Sequence, residues 1–478
     1  MPTTRRALLV GGPILLGASS LPAYAQAPPP LRVSENHRFF VTRDGMPFLY
    51  LGDTAWGLFH FTRENADLYL KDRADKRFTV IQVIVAHWGG LEIPNAYGQT
   101  VFVDKDPRRP NEAYFQQVDY VVNKAESLGL YVAMVPIWSK EYVNQQQSVL
   151  DNSSAAAYGK FLGNRYRRKP VIWILGGDWF ADGVEDIWRA MAAGIRAGDG
   201  GGHLMTYHPK SPRSSSQWFH NEPWLDFNML QTGHTTLNRN YELVAADYAR
   251  TPVKPVVDGE GGYEGIGDYQ EKQLRIQAHD VRRIAYCALF AGAAGYAYGA
   301  QGLYGYRDST GGRRSGSATN PAASLKVAMQ LPGATQMQHL RALLESRPML
   351  RLIPDQWLLV KDPMGTTDRM QACRASDGSY ALVYTASGRT LRVRIRDKIY
   401  NKVTGDLIKA WWYDPRQGTA TRIGEYPRAQ FKLLDEVEAY GTLGLEFTPP
   451  SSGPGNDWVL VLDDAAKNYP PPGRKAAQ

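Results

Sequence analysis

Two carboxylates stand where this sequence could do chemistry. The run Val171-Ile172-Trp173-Ile174-Leu175-Gly176-Gly177-Asp178-Trp179 is branched and aromatic, breaks at two glycines, and then presents an acid beside an indole. A second run, Val253 to Gly262, repeats the design and places Asp258-Gly259-Glu260 after Val256-Val257. Unmixed apolar runs of this kind read as strands covered on both faces. Acetal cleavage needs a proton donor for the leaving oxygen and a carboxylate that meets the developing oxocarbenium ion. In a (β/α)₈ barrel both come from strand carboxyl ends, where side chains converge over a rigid core. Asp178 and Glu260 meet that condition from strands four and seven. In barrel glycosidases of this layout the strand-four acid is the acid/base and the strand-seven glutamate the nucleophile, and the two residues are assigned so. The blander readings are a helix cap for Asp178 and a salt-bridged core acid for Glu260; two acids at matched strand ends favour the chemical one. Such enzymes commonly carry Asn-Glu where this chain has Gly177-Asp178. A shorter acid must bring its backbone closer, and two glycines permit that.

The elements that position the pair follow in regular βα alternation. Strand one is Pro47 to Leu51, preceded by a hairpin signal at Asp44-Gly45. Strands two to eight are Thr79–Val85, Tyr131–Trp138, Val171–Trp179, Leu204–Pro209, Phe227–His234, the Glu260 strand and Gly295–Gly299. Thr62 reads as a helix cap, and Gln270 to Ala291 as the longest helix. This count predicts an α/β (β/α)₈ barrel over residues 28–350, and no Gly-x-Gly-x-x-Gly supports a dinucleotide site. Residues at the other strand ends are candidate substrate-binding groups: Asp53 and Trp56, His87 and Trp88, Trp138, Trp179, His208, His234 and Tyr298. Asp53 could bond sugar hydroxyls, the indoles could stack on sugar rings, and the histidines or Tyr298 could position the nucleophile. Each also has a structural reading as cap, core aromatic or satisfied imidazole.

From Ile353 the pattern changes to short strands separated by turn signals, which predicts an antiparallel β-sandwich over 351–465 followed by a flexible tail, 466–478. Trp357–Val360 is read as one of those strands. Residues 1–27 read as an export signal: Arg5-Arg6, a short apolar run and Ala-x-Ala sites, with the paired arginines fitting a twin-arginine type. The remainder has no apolar run of membrane-spanning length. The expected location is periplasmic or extracellular, and the expected state a monomer. The chain has 12 Trp and 27 Tyr, a number that suits sugar stacking. Its net charge of +8 falls to +6 without Arg5 and Arg6 and is spread without a basic block. That leaves an acidic polymer as a possible substrate and gives no motif for nucleic acid. The two cysteines, Cys287 and Cys373, fall in different domains and are expected as buried free thiols.

Leu51-Gly52-Asp53-Thr54-Ala55-Trp56, the Ile81-Gln82 strand, Trp173 to Asp178 and Asp258-Gly259-Glu260 resemble the apiosidase-like barrel of glycoside hydrolase family 140. The β-module resembles the small collagen-binding-type domain often joined to it. The resemblance implies Asp178 as acid/base, Glu260 as nucleophile, no cofactor, and release of apiose-linked side chains from pectic rhamnogalacturonan II. Neighbouring sequences act on other furanosides, so an arabinofuranosidase is an alternative. Two readings of other classes stay open: a metal-dependent barrel hydrolase using His87, His208, His234 and Asp258, and a glycan-binding barrel without turnover. The first lacks His-x-His at strand one, and the second keeps both acids without need.

Overall fold

The structure, a computed structural model, describes residues 27–475 apart from 88, 144–147, 307–324, 361–366, 397–400 and 432–443. The expected export signal, up to residue 26, and Trp88 lie outside the described residues.

The first three strands, β1 (Leu31–Val33), β2 (Phe40–Thr42) and β3 (Pro47–Phe48), form a small antiparallel sheet. The chain turns at Asp44-Gly45, with Gly45 at φ 89°. Phe40 and Phe48 pack edge-on against Phe227 and Tyr131, which precede or begin barrel strands, so this sheet closes the barrel's amino-terminal end. The barrel strands are β4 (Tyr50–Thr54), β5 (Val80–Ala86), β6 (Tyr131–Ile137), β7 (Val171–Trp179), β8 (Met205–Pro209), β10 (Asn228–Gln231), β11 (Val256–Glu260) and β12 (Gly295–Tyr298), with a short antiparallel β9 (Arg213–Ser214) beside β10. The order β8-β7-β6-β5-β4-β12-β11-β10-β9 is that of a (β/α)₈ barrel. The remaining seam between β8 and β10 is bridged from Asp226 N to Met205 O, 2.9 Å, and from Thr206 Oγ1 to Phe227 O, 2.6 Å.

Inside the barrel, small residues make room for large ones. A Cβ on Gly52 would meet Ala297 at 3.1 Å and Tyr50 at 3.0 Å. Gln82 occupies the centre: its Oε1 accepts from Tyr50 Oη at 2.9 Å, and its Nε2 donates to Thr54 Oγ1 at 3.1 Å and Gly259 O at 2.9 Å. One buried amide thereby ties strands one, two and seven together just below Glu260. Outside, helices Asn152–Tyr166 and Glu185–Asp199 flank β7. Gly159 and Gly163 on the first meet Gly194 and Gly198 on the second so closely that any added Cβ would lie within 2.5 Å of the facing backbone.

Thr62 caps helix Arg63–Asp75 as expected, accepting from Asn65 N at 3.3 Å. The helix read over 270–291 is shorter, Ala278–Phe290, and Glu112–Ser127 at 16 residues is longer. Gln270-Glu271-Lys272-Gln273 has helical propensity, but Asp268 captures the backbone first. Its Oδ1 accepts from Gln270 N and Glu271 N, while its Oδ2 accepts from Thr236 N and Thr236 Oγ1. Residues 263–277 therefore form a loop over the barrel mouth, stapled to the loop after strand six.

The C-terminal region has a six-stranded antiparallel sheet of β13 (Leu352–Pro354), β14 (Met370–Ala375), β15 (Tyr380–Thr385), β20 (Trp458–Asp464), β17 (Leu407–Asp414) and β18 (Thr419–Pro427), and a pair, β16 (Leu391–Val393) with β19 (Leu445–Phe447). The two layers enclose a core of their own that includes Val393, Phe447, Val383 and Leu460. Trp357–Val360 is not a strand: Gln356–Leu358 is one 3-10 turn, because Gln356 turns its amide onto β14. β18 is missed by the sequence pattern since it is a polar, largely exposed edge. This region docks on the barrel through buried ion pairs, Arg282 to Asp457 at 2.5 Å and Arg347 to Asp463 at 2.7 Å, and a Tyr286–Tyr384 stack at 4.9 Å. The expected flexible tail is packed over 466–475: Tyr469 sits beside Arg347, and Gly473 N donates to Ser346 Oγ at 3.1 Å. Cys287 and Cys373 are both buried, and among the described residues neither forms a disulfide.

Candidate active site

Both candidate acids owe their aim to an irregularity at a strand end. On β11, Leu230 pairs with Asp258 but Gln231 pairs with Glu260, so Gly259 is an extra residue. By simple alternation Glu260 would share the outward face of Asp258; the bulge re-aims it inward, on the face of Gln231. Asp258 points outward to Asn240 Nδ2 at 2.8 Å and Thr232 Oγ1 at 3.1 Å. On β7, Gly176 pairs with His208 and Trp179 with Pro209, leaving Gly177 and Asp178 bulged out. Gly176, Gly177 and Asp178 have φ of 84°, 131° and 49°. A Cβ at Gly176 would lie 2.5 Å from the Tyr207 ring, and one at Gly177 2.5 Å from Trp138. Only glycine fits both the conformation and the space. Aspartate tolerates the left-handed region better than most residues, and such strain clusters at functional sites.

Asp178 and Glu260 line one cavity of about 580 Å³ at the carboxyl ends of the strands, with Trp56, Trp138, Gln231 and His234. Glu260 is buried. His234 Nε2 donates to its Oε1 at 3.1 Å, and His208 Nε2 lies 3.1 Å from its Oε2. Burial by itself would raise this carboxyl, but the two imidazoles outweigh it and hold the pKa at about 2. Asp178 is 32% exposed and lies 3.5 Å from Lys140 Nζ. Burial and the negative charge of Glu260 raise its pKa above the usual aspartate range, against the opposing pull of Lys140, His208 and Gln231. One carboxyl is thus held ionised and its neighbour is biased toward keeping its proton.

The other predicted residues divide into two groups. Trp56 and Trp138 line the cavity, their rings 5.2 Å apart, with His208 packed on both from beneath. His208 and His234 hold Glu260. The remaining four do not reach the cavity. Asp53 faces outward because Thr54, its neighbour, faces in; it is paired with Arg73 Nε at 3.0 Å and accepts from Tyr69 Oη at 2.6 Å. His87 packs on His60 at 4.7 Å and accepts from Gly89 N at 2.9 Å. Trp179 lies outside the lining, under Lys210 at 4.6 Å. Tyr298 bonds Glu264 Oε2 at 2.6 Å, not Glu260, because its strand position turns it outward.

Residues that sequence reading missed include Gln231, Lys140, Lys210, Tyr269 and Tyr304, all lining the cavity. Gln231 lies inside the run assigned to strand six and ends the observed strand β10, so its place at a strand end was within reach of the sequence. Tyr269 stands directly before the helix expected over 270–291, which concealed that its segment is a loop over the cavity. His208 and His234 meet at Glu260, but His87 and Asp258 are engaged elsewhere, and among the described residues no group of three or more His, Cys, Asp and Glu is arranged to hold a metal ion. No helix among them is long and apolar enough to cross a membrane.

Residues 34–351 match the family described as apiosidase-like, catalytic domain, and residues 353–463 the family described as "Putative collagen-binding domain of a collagenase". No curated protein matches the chain. Among solved structures, a family 5 glycoside hydrolase from Bacteroides vulgatus is 33% identical, with 94% of this chain and 96% of that one covered and a TM-score of 0.80. A second structure, described as a glycoside hydrolase, is 31% identical, with 92% and 98% covered and a TM-score of 0.80. Another glycoside hydrolase structure from Bacteroides vulgatus shares the fold at 16% identity and a TM-score of 0.64, with 92% and 83% covered. With a barrel of this order, a cavity at its strand carboxyl ends and a family match over most of its length, the chain belongs to the apiosidase-like glycoside hydrolases.

Proposed function

We propose that the chain is an exported, retaining glycosidase of family 140 type, with Asp178 as acid/base and Glu260 as nucleophile, releasing apiose-linked side chains from rhamnogalacturonan II. The observation that carries this reading is the opposed setting of two carboxyls in one cavity: Glu260 held at a pKa of about 2 by His208 and His234, Asp178 raised by burial and by Glu260 itself. Pairs of acids driven apart in this way divide into a charged partner and a proton donor.

In the first step Asp178 donates its proton to the leaving oxygen as the glycosidic C–O bond breaks, and Glu260 bonds to the anomeric carbon. Esterification removes the negative charge of Glu260, which is one of the two causes raising Asp178. With its pKa lowered, Asp178 stays ionised after giving up its proton and is free to accept another: it takes a proton from water, whose oxygen attacks the anomeric carbon and frees Glu260. The indoles of Trp56 and Trp138 offer apolar faces to a sugar ring. Retention calls for carboxyls about 5 to 5.5 Å apart.

The test compares leaving groups. Asp178→Ala should lose most activity on the polysaccharide and little on an activated aryl glycoside, and azide should restore turnover of the latter with retained configuration. Equal losses on both substrates would remove Asp178 from the acid/base role. Digestion of rhamnogalacturonan II with release of a sugar other than apiose would overturn the substrate.

A further inference from the structure

We propose that the amino-terminal end of the barrel, opposite the catalytic cavity, carries a second binding site, one that takes the carboxylates of an acidic glycan chain. A hollow of about 380 Å³ opens there, between the first sheet and the loops leading into β7 and β8. Three separate segments bring cations to it: Arg32 on β1, Arg43 in the hairpin turn, and Arg167-Arg168-Lys169 ahead of β7. Glu126, the one acid in its lining, is already held by Lys169 at 2.7 Å. Arg32, Arg43, Arg167 and Arg168 are all exposed, and among the described residues none of the four guanidinium groups forms an ion pair or hydrogen bond.

Arg167 and Arg168 follow the carboxyl end of helix Asn152–Tyr166, where a cation is favoured by the helix dipole. That accounts for neither Arg32 nor Arg43, which come from a strand and a turn. Four exposed guanidinium groups lining one hollow give it a positive field that favours an anion. Their planar forks match carboxylates in bidentate fashion, which single ammonium groups do not. Pro28 and Pro30 add apolar faces to the wall, suited to sugar rings. The hollow is concave, and a flat lipid surface would meet it poorly. The site stands or falls independently of the catalytic assignments, since it lies at the other end of the barrel.

The probe is polygalacturonate, with neutral galactan and phosphatidylglycerol vesicles as comparisons, titrated calorimetrically against the full chain. Wild type should bind polygalacturonate, with affinity falling steeply as salt rises. Arg167→Glu/Arg168→Glu and Arg32→Gln/Arg43→Gln should each weaken it by about tenfold or more, with kcat/KM on an aryl glycoside and thermal unfolding unchanged. Undiminished binding by both double variants would overturn the proposal, as would loss of binding only in Lys210→Met at the catalytic cavity. Equal binding of galactan or of the vesicles would overturn it as well.

Discussion

The ends of strands four and seven solve one problem in opposite ways. Each carries a carboxyl past a bulge, yet Asp178 stands partly exposed on left-handed backbone beside a lysine, while Glu260 is buried between two histidines. Exposure alone would predict the reverse order of acidity, because burial disfavours a charged carboxylate. The imidazoles reverse it for Glu260, and the charge they maintain there then pushes Asp178 the other way. The lesson is that the two settings are coupled, so a change at one end should be legible at the other.

The largest effect should come from removing the charged partner. Glu260→Gln is expected to lower kcat/KM by roughly 10⁴-fold or more on every substrate, good leaving groups included. It should also let the Asp178 pKa fall, because one of its raising causes is gone. Next, Asp178→Asn should cost about 10² to 10⁴-fold on the polysaccharide. It should abolish the basic limb of the pH–rate profile while leaving the acidic limb in place. If the basic limb survives, the proton donor is another group.

His234→Ala breaks the comparison from the strand-six side. It removes a donor to Glu260 Oε1, so the Glu260 pKa rises from about 2 and activity fails at a higher pH on the acid side. A charge-assisted hydrogen bond of about 1.5 to 3 kcal/mol corresponds to a shift of roughly one to two pH units. Gly177→Ala tests the backbone: its Cβ would strike the Trp138 ring from a φ of 131°. The expected loss of stability is about 1 to 3 kcal/mol by denaturant unfolding. The smallest effect belongs to Lys140→Met. Lys140 favours ionised Asp178, so its loss should move the basic limb upward, and by less than the His234 change moves the acidic limb, given how exposed the ammonium is.

Much of this arrangement is visible in the residue order. Eight apolar runs in alternation with helical ones specify a barrel, and the acids at the fourth and seventh runs lie at the end that holds the candidate cavity. The face on which a side chain lies could be read at Asp53 and Tyr298, because period-two alternation sets each apart from its inward neighbour. Alternation fails at Glu260, where it would turn the acid outward; only the extra Gly259 brings it in. The roles of the histidines were legible as types at strand ends, whereas the choice of His208 and His234 over His87 depends on which loops face the cavity. The loop over 263–277 was illegible for a different reason. Its helix-forming residues are overruled by Asp268, whose local bonds to Gln270 N and Glu271 N are fixed in place by non-local contacts to Thr235 and Thr236.

The division between the two acids can be measured without turnover, by carbon NMR titration of the Asp178 and Glu260 carboxyls in the folded protein. The settings described above require Glu260 to lose its proton near pH 2 and Asp178 to hold its own above the ordinary aspartate range. Substitution of His234 should then move the Glu260 titration upward. Asp178 titrating below Glu260 would contradict the assignment of donor and nucleophile at its root.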